Sequence, residues 1–200
     1  MSLIRTDYVF DPKQPEGLAI MSLTLSGKPM EKVSSFEYRL RKLPPKDGKA
    51  VIARPYFESL KQHARGVSRL TSRADGDRRI VAKGPNSIEP LDLRESETAG
   101  RVASLHLPAG AYEFYTWSLK DPAGQSGGTE YGSQRPFSYQ FVVKPGRATY
   151  IGQLNLHLSE WKTQKITVED RRERDLALLK KKVPSIGEAL VASEVGRVQP

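Results

Sequence analysis

Gly124-Gln125-Ser126-Gly127-Gly128 satisfies the G-x-S-x-G pattern. That pattern lifts a nucleophilic serine onto a strained strand-to-helix elbow above a parallel sheet, with partners in the order serine, acid, histidine. Downstream of Ser126 the one histidine is His157, and the one acid between them is Glu130. No helical pattern follows, so the stretch reads as a Gly-rich loop between antiparallel strands. A hydrolase or glycan-active enzyme working through the 124–135 loop is the alternative. Glu113 and Glu130 flank an aromatic strand and this loop, but two carboxylates make a glycosidase pair only at a defined separation, which a sequence does not supply.

Metal and cofactor chemistry finds little support. The chain has no cysteine, which excludes thiolate zinc sites, cysteine nucleophiles and disulfides. His63, His106 and His157 are far apart and lack the i+2 or i+4 partners of familiar metal motifs. On the expected strands His106 and His157 lie away from the aliphatic face, leaving a site shared across neighbouring strands as the residual route to a metal. No Gly-rich stretch runs into Gly-Lys-Ser/Thr and a helix, so a phosphate-binding loop is excluded. The expectation is no metal and no cofactor.

The aromatic segment AYEFYTWSL offers a different chemistry, stacking and hydrogen bonding at a surface. Strict alternation places Tyr112 and Phe114 on one face and Tyr115, Trp117 and Leu119 on the other. One set enters the core. The other is either covered by the C-terminal helix through Leu176 and Leu179, or displayed to a glycan, a peptide or a partner protein. In the second case Tyr115 and Trp117 form the ligand or partner surface, with Tyr131 and Arg135 added by the adjacent loop.

The formal charge of +9 raises the question of nucleic acid. The excess is spread along the chain, about three charges in the first fifty residues and two in each later fifty. Arg171, Arg172 and Arg174 alternate with acids, and Lys180 to Lys182 is the main unbroken basic run. A solvated surface explains this better than a nucleic-acid groove, with weak attraction to anionic envelope polymers between the two. No stretch approaches the ~20 apolar residues of a membrane span.

These residues need strands to position them. LAIMSLTLSG puts Ala19, Met21, Leu23 and Leu25 on one face, and FEYRLRKL alternates Phe36, Tyr38 and Leu40 with Glu37, Arg39 and Arg41. From Pro44 to about Gly100 only short apolar runs occur, AVIA and RIVAK among them, with a turn or two of helix near Tyr56 to Ala64. RVASLHLP then sets Ala103, Leu105 and Leu107 against Ser104 and His106. FSYQFVV and ATYIGQLNLHL flank Pro145-Gly146 as a hairpin, with Phe137, Tyr139, Phe141, Tyr150, Leu154 and Leu156 as one inward face. QKITV follows as a last strand.

The end of the chain is helical: Asp170 suits an N-cap with Glu173 as capping-box partner, and acids early with lysines late complement the helix dipole. Leu176, Leu179 and Val183 make its apolar stripe, and Pro184 stops it. The predicted fold is mainly β, an antiparallel β-sandwich of immunoglobulin-like or transthyretin-like type with a C-terminal α-helix. Its parts are an extended segment over 1–16, a β-sandwich domain over 17–169 with a loop-rich insertion at about 44–100, and a helical appendage over 170–200.

LPAGAYEFYTWSL and PFSYQFVVKPGRATYIGQLNL resemble uncharacterised bacterial exported proteins and lipoproteins with small β-sandwich domains. Phe141, Val143, Pro145, Gly146, Tyr150, Ile151 and Gly152 carry the second half of the match, within roughly Val102 to Leu158. The resemblance implies a cell-envelope setting, periplasmic or outer-membrane-associated, with a signal peptide or lipid anchor in the native precursor. It transfers no active site. MSLIRTDYVFDPKQPEG itself contains no signal segment, so a cytoplasmic protein stays open. The expected function is a non-enzymatic exported protein that binds or scaffolds an envelope protein or glycan, with the loop enzyme and a basic nucleic-acid binder as alternatives.

Overall fold

The computed structural model describes residues 11, 13–27, 33, 35–44, 78–83, 91–95, 98–121, 129–133, 137–158, 165–186 and 191–198. AVIA, the expected helical turn near Tyr56 to Ala64, His63, Ser126 and Arg135 lie outside them. Among the described residues the chain is mainly β with one helix. Its strands are β1 (Glu16–Ser26), β2 (Ser35–Lys42), β3 (Arg78–Lys83), β4 (Leu93–Arg94), β5 (Thr98–Pro108), β6 (Gly110–Asp121), β7 (Thr129–Gly132), β8 (Tyr139–Val143), β9 (Ala148–His157), β10 (Lys165–Glu169) and β11 (Val191–Ser193). The helix α1 covers Arg172–Lys182.

Two sheets result. The first runs β10-β9-β1-β5-β4 with β11 also on β9; the second runs β3-β2-β6-β7 with β8 also on β6. The second is antiparallel throughout its pairings. The first corrects the antiparallel expectation, because β1 and β9 pair in parallel, as do β11 and β9. Parallel neighbours are not typical of an immunoglobulin-like sheet. Alternation fixes which residues share a face but not the direction of the neighbouring strand.

The expected hairpin is also corrected. β8 pairs with β6 in the second sheet, whereas β9 pairs with β1, β10 and β11 in the first. The turn exists, with Gly146 at φ 59 and Arg147 N donating to Lys144 O at 3.4 Å. Pro at its second position and a positive-φ Gly at its third suit turns that splay flanking strands, unlike the primed turns of tight hairpins. The chain therefore crosses from one sheet to the other, and Gly146 N and Arg147 O bond to Glu16 and Leu18 of β1 instead.

The main apolar cluster draws on both sheets, with Met21, Leu23, Leu105 and Leu154 from the first and Tyr38, Phe114, Trp117 and Phe141 from the second. Tyr38 meets Phe36, Phe114 and Phe137 edge to face, and Phe141 stacks on Tyr112 and Phe114. A second cluster lies on the other face of the first sheet, where Leu176, Leu179, Val183 and Ile186 cover Leu18, Ile20, Val102, Ala148 and Tyr150. The helix stripe thus docks as expected of its sequence, but on the first sheet and not over the aromatic strand. Asp170 Oδ1 accepts Arg172 N–H at 3.0 Å, while the N-cap residue itself, Arg171, makes no side-chain cap bond.

Candidate functional site

Two β-bulges decide which side chains face outward. On β6, Arg39 pairs with Thr116 and Leu40 with Phe114, so the register skips Tyr115. One extra residue shifts the alternation by one. Trp117 and Leu119 consequently join Tyr112 and Phe114 in the core, at 3% and 1% exposure. The expected division of the aromatic strand into two faces is corrected: Trp117 is a core residue, and only Tyr115 remains half-exposed.

The second bulge lies on β9, where Ile20 pairs with Tyr150 but Ser22 with Gln153. Gly152 adopts φ 105 there, and a Cβ on it would stand 2.9 Å from Val168 Cγ1 and 3.2 Å from both Glu169 O and Val195 Cγ1. The shift turns Tyr150 outward beneath α1, correcting its inward assignment, and leaves Ile151, Leu154 and Leu156 inward. The Tyr139 hydroxyl crosses from the second sheet and donates to Ile151 O, while accepting Gly196 N–H at 3.1 Å. Burial raises the pKa of Tyr139, partly offset by the Gly196 hydrogen bond.

Beneath α1, beside the apolar cluster, the outer face of the first sheet also holds a polar group. Asp175 Oδ2 accepts Ser22 Oγ at 2.5 Å and Tyr150 Oη at 2.7 Å, and Arg174 Nη2 reaches Asp175 Oδ1 at 2.8 Å. Burial and then the charge of Asp175 push the Tyr150 pKa up. Farther along β1, Ser26 Oγ lies 2.9 Å from His157 Nδ1, and His157 Nε2 lies 2.9 Å from Thr167 Oγ1. A serine–histidine contact of this length suits nucleophilic catalysis, but here the histidine is oriented by a hydroxyl and not a carboxylate. Asn155 Nδ2 donates to Ser26 Oγ at 3.0 Å, so the serine is already held by a strand neighbour. The group reads as cross-strand stitching of β1, β9 and β10.

His106 sits at the opposite end. It pairs with Glu16 at 2.5 Å and lies opposite Leu18, whereas His157 lies opposite Ser26. Eight residues of strand, about 26 Å, separate the two, which removes a metal shared between them. Among the described residues no cluster of three or more histidine or acidic side chains is placed to hold a metal.

The outer face of the second sheet is built differently. Arg41 Nη2 and Nε reach Glu113 Oε2 at 2.6 and 2.8 Å, and the Arg41 guanidinium lies over the Tyr115 ring at 4.7 Å. Arg39 Nε reaches Glu37 Oε1 at 3.2 Å, and the Thr116 and Ser133 hydroxyls lie 2.7 Å apart. Ser118 falls opposite Glu37 on β2 and Gly132 on β7, and its buried hydroxyl has no hydrogen-bond partner. On this face Glu113, Thr116 and Ser118 are buried and Tyr115 is half-exposed. Of the four residues expected to form a surface, Tyr115 is on it, Trp117 is in the core, Tyr131 lies in register with Leu119, and Arg135 falls outside the described residues. Arg41 and Ser118 were not singled out as site residues by the sequence, and Glu113 was raised there only as half of a carboxylate pair with Glu130. The bulge that gathers them around Tyr115 has no marker in residue types.

No protein-family model matches the chain, and no curated protein does. Among solved structures the chain is similar to a leucine-rich repeat protein from Bacteroides thetaiotaomicron, at 13% identity and a TM-score of 0.35. That likeness covers 72% of this chain and 14% of the other.

Proposed function

We propose that the chain is an exported, non-enzymatic binding protein of β-sandwich type, which engages or scaffolds a cell-envelope component through the outer face of its second sheet. The observation that carries this reading is the half-exposed Tyr115, pushed out of the ladder by a bulge and held under the Arg41 guanidinium at 4.7 Å, with Glu113 fixing Arg41 from below. An aromatic ring and a charged fork on a rigid strand form a pre-organised contact pair, which loses little side-chain freedom on binding. The serine–histidine pair supports the same reading, since its hydrogen-bonding capacity is spent within the protein. An envelope setting follows from the resemblance of the β5–β6 turn and the β8–β9 segment to exported proteins.

The test is fractionation of cells expressing the full native gene, combined with co-sedimentation of the purified protein on isolated envelopes. Recovery in the envelope or periplasmic fraction, and sedimentation lost in a Tyr115→Ala/Arg41→Ala double variant, is the expected result. Recovery in the cytosol with no sedimentation overturns it.

A further inference from the structure

The C-terminal stretch 191–198 lies in a slot that the rest of the chain builds without it. β9 is paired with β1 along one edge and, along the other, with β11 and β10 to either side of the bulge. Among the described strands β11 pairs with β9 alone, so withdrawing it breaks no other ladder. The slot has a specific lining. Val191 enters the cluster beneath α1, Val195 packs at the margin of that cluster, and Val198 rests against the main core. Arg172 Nη2 donates to Val191 O at 2.8 Å, Glu194 N–H to Tyr150 O at 2.9 Å and Gly196 N–H to Tyr139 Oη at 3.1 Å. The Glu194 carboxylate meets Lys144 in the turn between β8 and β9. The stretch therefore bonds to a strand of each sheet, at the place where the chain crosses between them.

Its hold is short. Three residues form the ladder, in the parallel arrangement that is the less stable kind per residue. Ala192, Ser193 and Glu194 are exposed, and a surface ion pair such as Lys144 with Glu194 adds little. The stretch accordingly opens locally, at a lower cost than global unfolding. Opening bares the edge of β9 at Ala148–Tyr150, and a bared edge recruits a strand. The strand that fits this slot residue for residue is the same stretch of a second copy. We propose that the chain forms a closed dimer by exchanging residues 191–198, each copy's stretch lying on the other's β9. The five steps of chain from Ile186 to Val191 reach at most ~18 Å when extended, so the two slots face each other across the dimer axis. Every contact of the stretch is kept on exchange, and the balance between monomer and dimer moves with protein concentration.

The chain has no cysteine, so an introduced pair reports on exchange without background. Thr149 and Ala192 are Cα partners across β9 and β11, a spacing of about 4.8 Å that a disulfide spans. The full chain carrying Thr149→Cys and Ala192→Cys is refolded at rising concentration, oxidised and separated by size, with the wild-type chain in parallel. The dimer fraction rises with concentration and its disulfides join two chains, whereas monomers carry theirs within one chain. Dimers whose disulfides all lie within single chains overturn the exchange, as does a wild-type chain that stays monomeric throughout. A second measurement does not depend on the cysteine variant folding. Lys144→Glu and Glu194→Lys each set like charges in slot and stretch, in the monomer and in their own dimers. Refolded together, the two variants regain opposite charges in both slots of a mixed dimer, which is expected to exceed its share under random pairing. A random or smaller share of mixed dimer overturns the proposal.

Discussion

The two sheets share a construction and use it for opposite ends. Each is organised on one long strand, β6 or β9, flanked along one edge by two short strands and interrupted by a single bulge between them. In β9 the bulge falls on Gly152, is packed against Val168 and Val195, and has the carbonyl of Ile151 taken by Tyr139. In β6 it falls on Tyr115, half-exposed under Arg41. One bulge closes the molecule and the other displays a side chain. The same local irregularity becomes structural or presentational according to whether glycine or an aromatic residue occupies the extra position.

Substitution at Trp117 and at Tyr115 breaks this comparison most directly. Trp117→Ala is expected to lose about 3–5 kcal/mol in chemical denaturation, as for other buried aromatics. Tyr115→Ala should lose well under half as much. Similar losses at the two positions would mean that they share a face after all.

Alkaline titration probes the tyrosines that tie the sheets together. Tyr38 and Tyr139, from the second sheet, and Tyr150, from the first, all have pKa values raised by burial. Above the ordinary tyrosine value the unfolded chain releases these protons and the folded chain keeps them, so the native state binds more protons and stability falls as pH rises. Below pH 10 their contribution is complete; above it, three such groups give a slope of up to about 4 kcal/mol per pH unit. Removing one by Tyr38→Phe should reduce that slope by about a third, read from denaturation midpoints between about pH 9.5 and 11. A flat profile over that interval would contradict the burial of these hydroxyls.

Gly152→Ala tests the closing bulge. A φ of 105 and the close approach to Val168 Cγ1 together predict a loss of about 3 kcal/mol. Tyr139→Phe is gentler: it frees Ile151 O and Gly196 N–H, costing about 1–2 kcal/mol. Faster amide exchange at Gly196, with the rest of β9 unchanged, is the measurement that checks it.

These same positions mark where the sequence was legible. Ala19, Met21, Leu23 and Leu25 on β1, Phe36, Tyr38 and Leu40 on β2, and Ala103, Leu105 and Leu107 on β5 face the core as their alternation requires. In each case the inner-face residues keep an uninterrupted period of two. Alternation misled at Trp117, just after one bulge, and at Tyr150, just before the other, because a single extra residue inverts the faces of the residues on its two sides relative to each other. Gly152 carried a usable signal, since a glycine inside an apolar strand often marks a bulge. Tyr115 carried none. The turn at Pro145-Gly146 was visible, but the destination of the strand after it was not, because that depends on β1, far away in sequence. For the candidate surface, Tyr115 was legible from composition, whereas Arg41, Glu113 and Ser118 needed the register.

The parallel pairing of β1 with β9 also sets a timetable for biosynthesis. Thr24 and Asn155 bond across that pair although 131 residues separate them. At about 5–20 residues per second, one long edge of the first strand waits roughly 7–26 s for its neighbour to leave the ribosome. During that interval an exposed, apolar strand is a template for other chains. A cell making this protein in quantity therefore needs something to hold its N-terminal strand until the C-terminal half arrives.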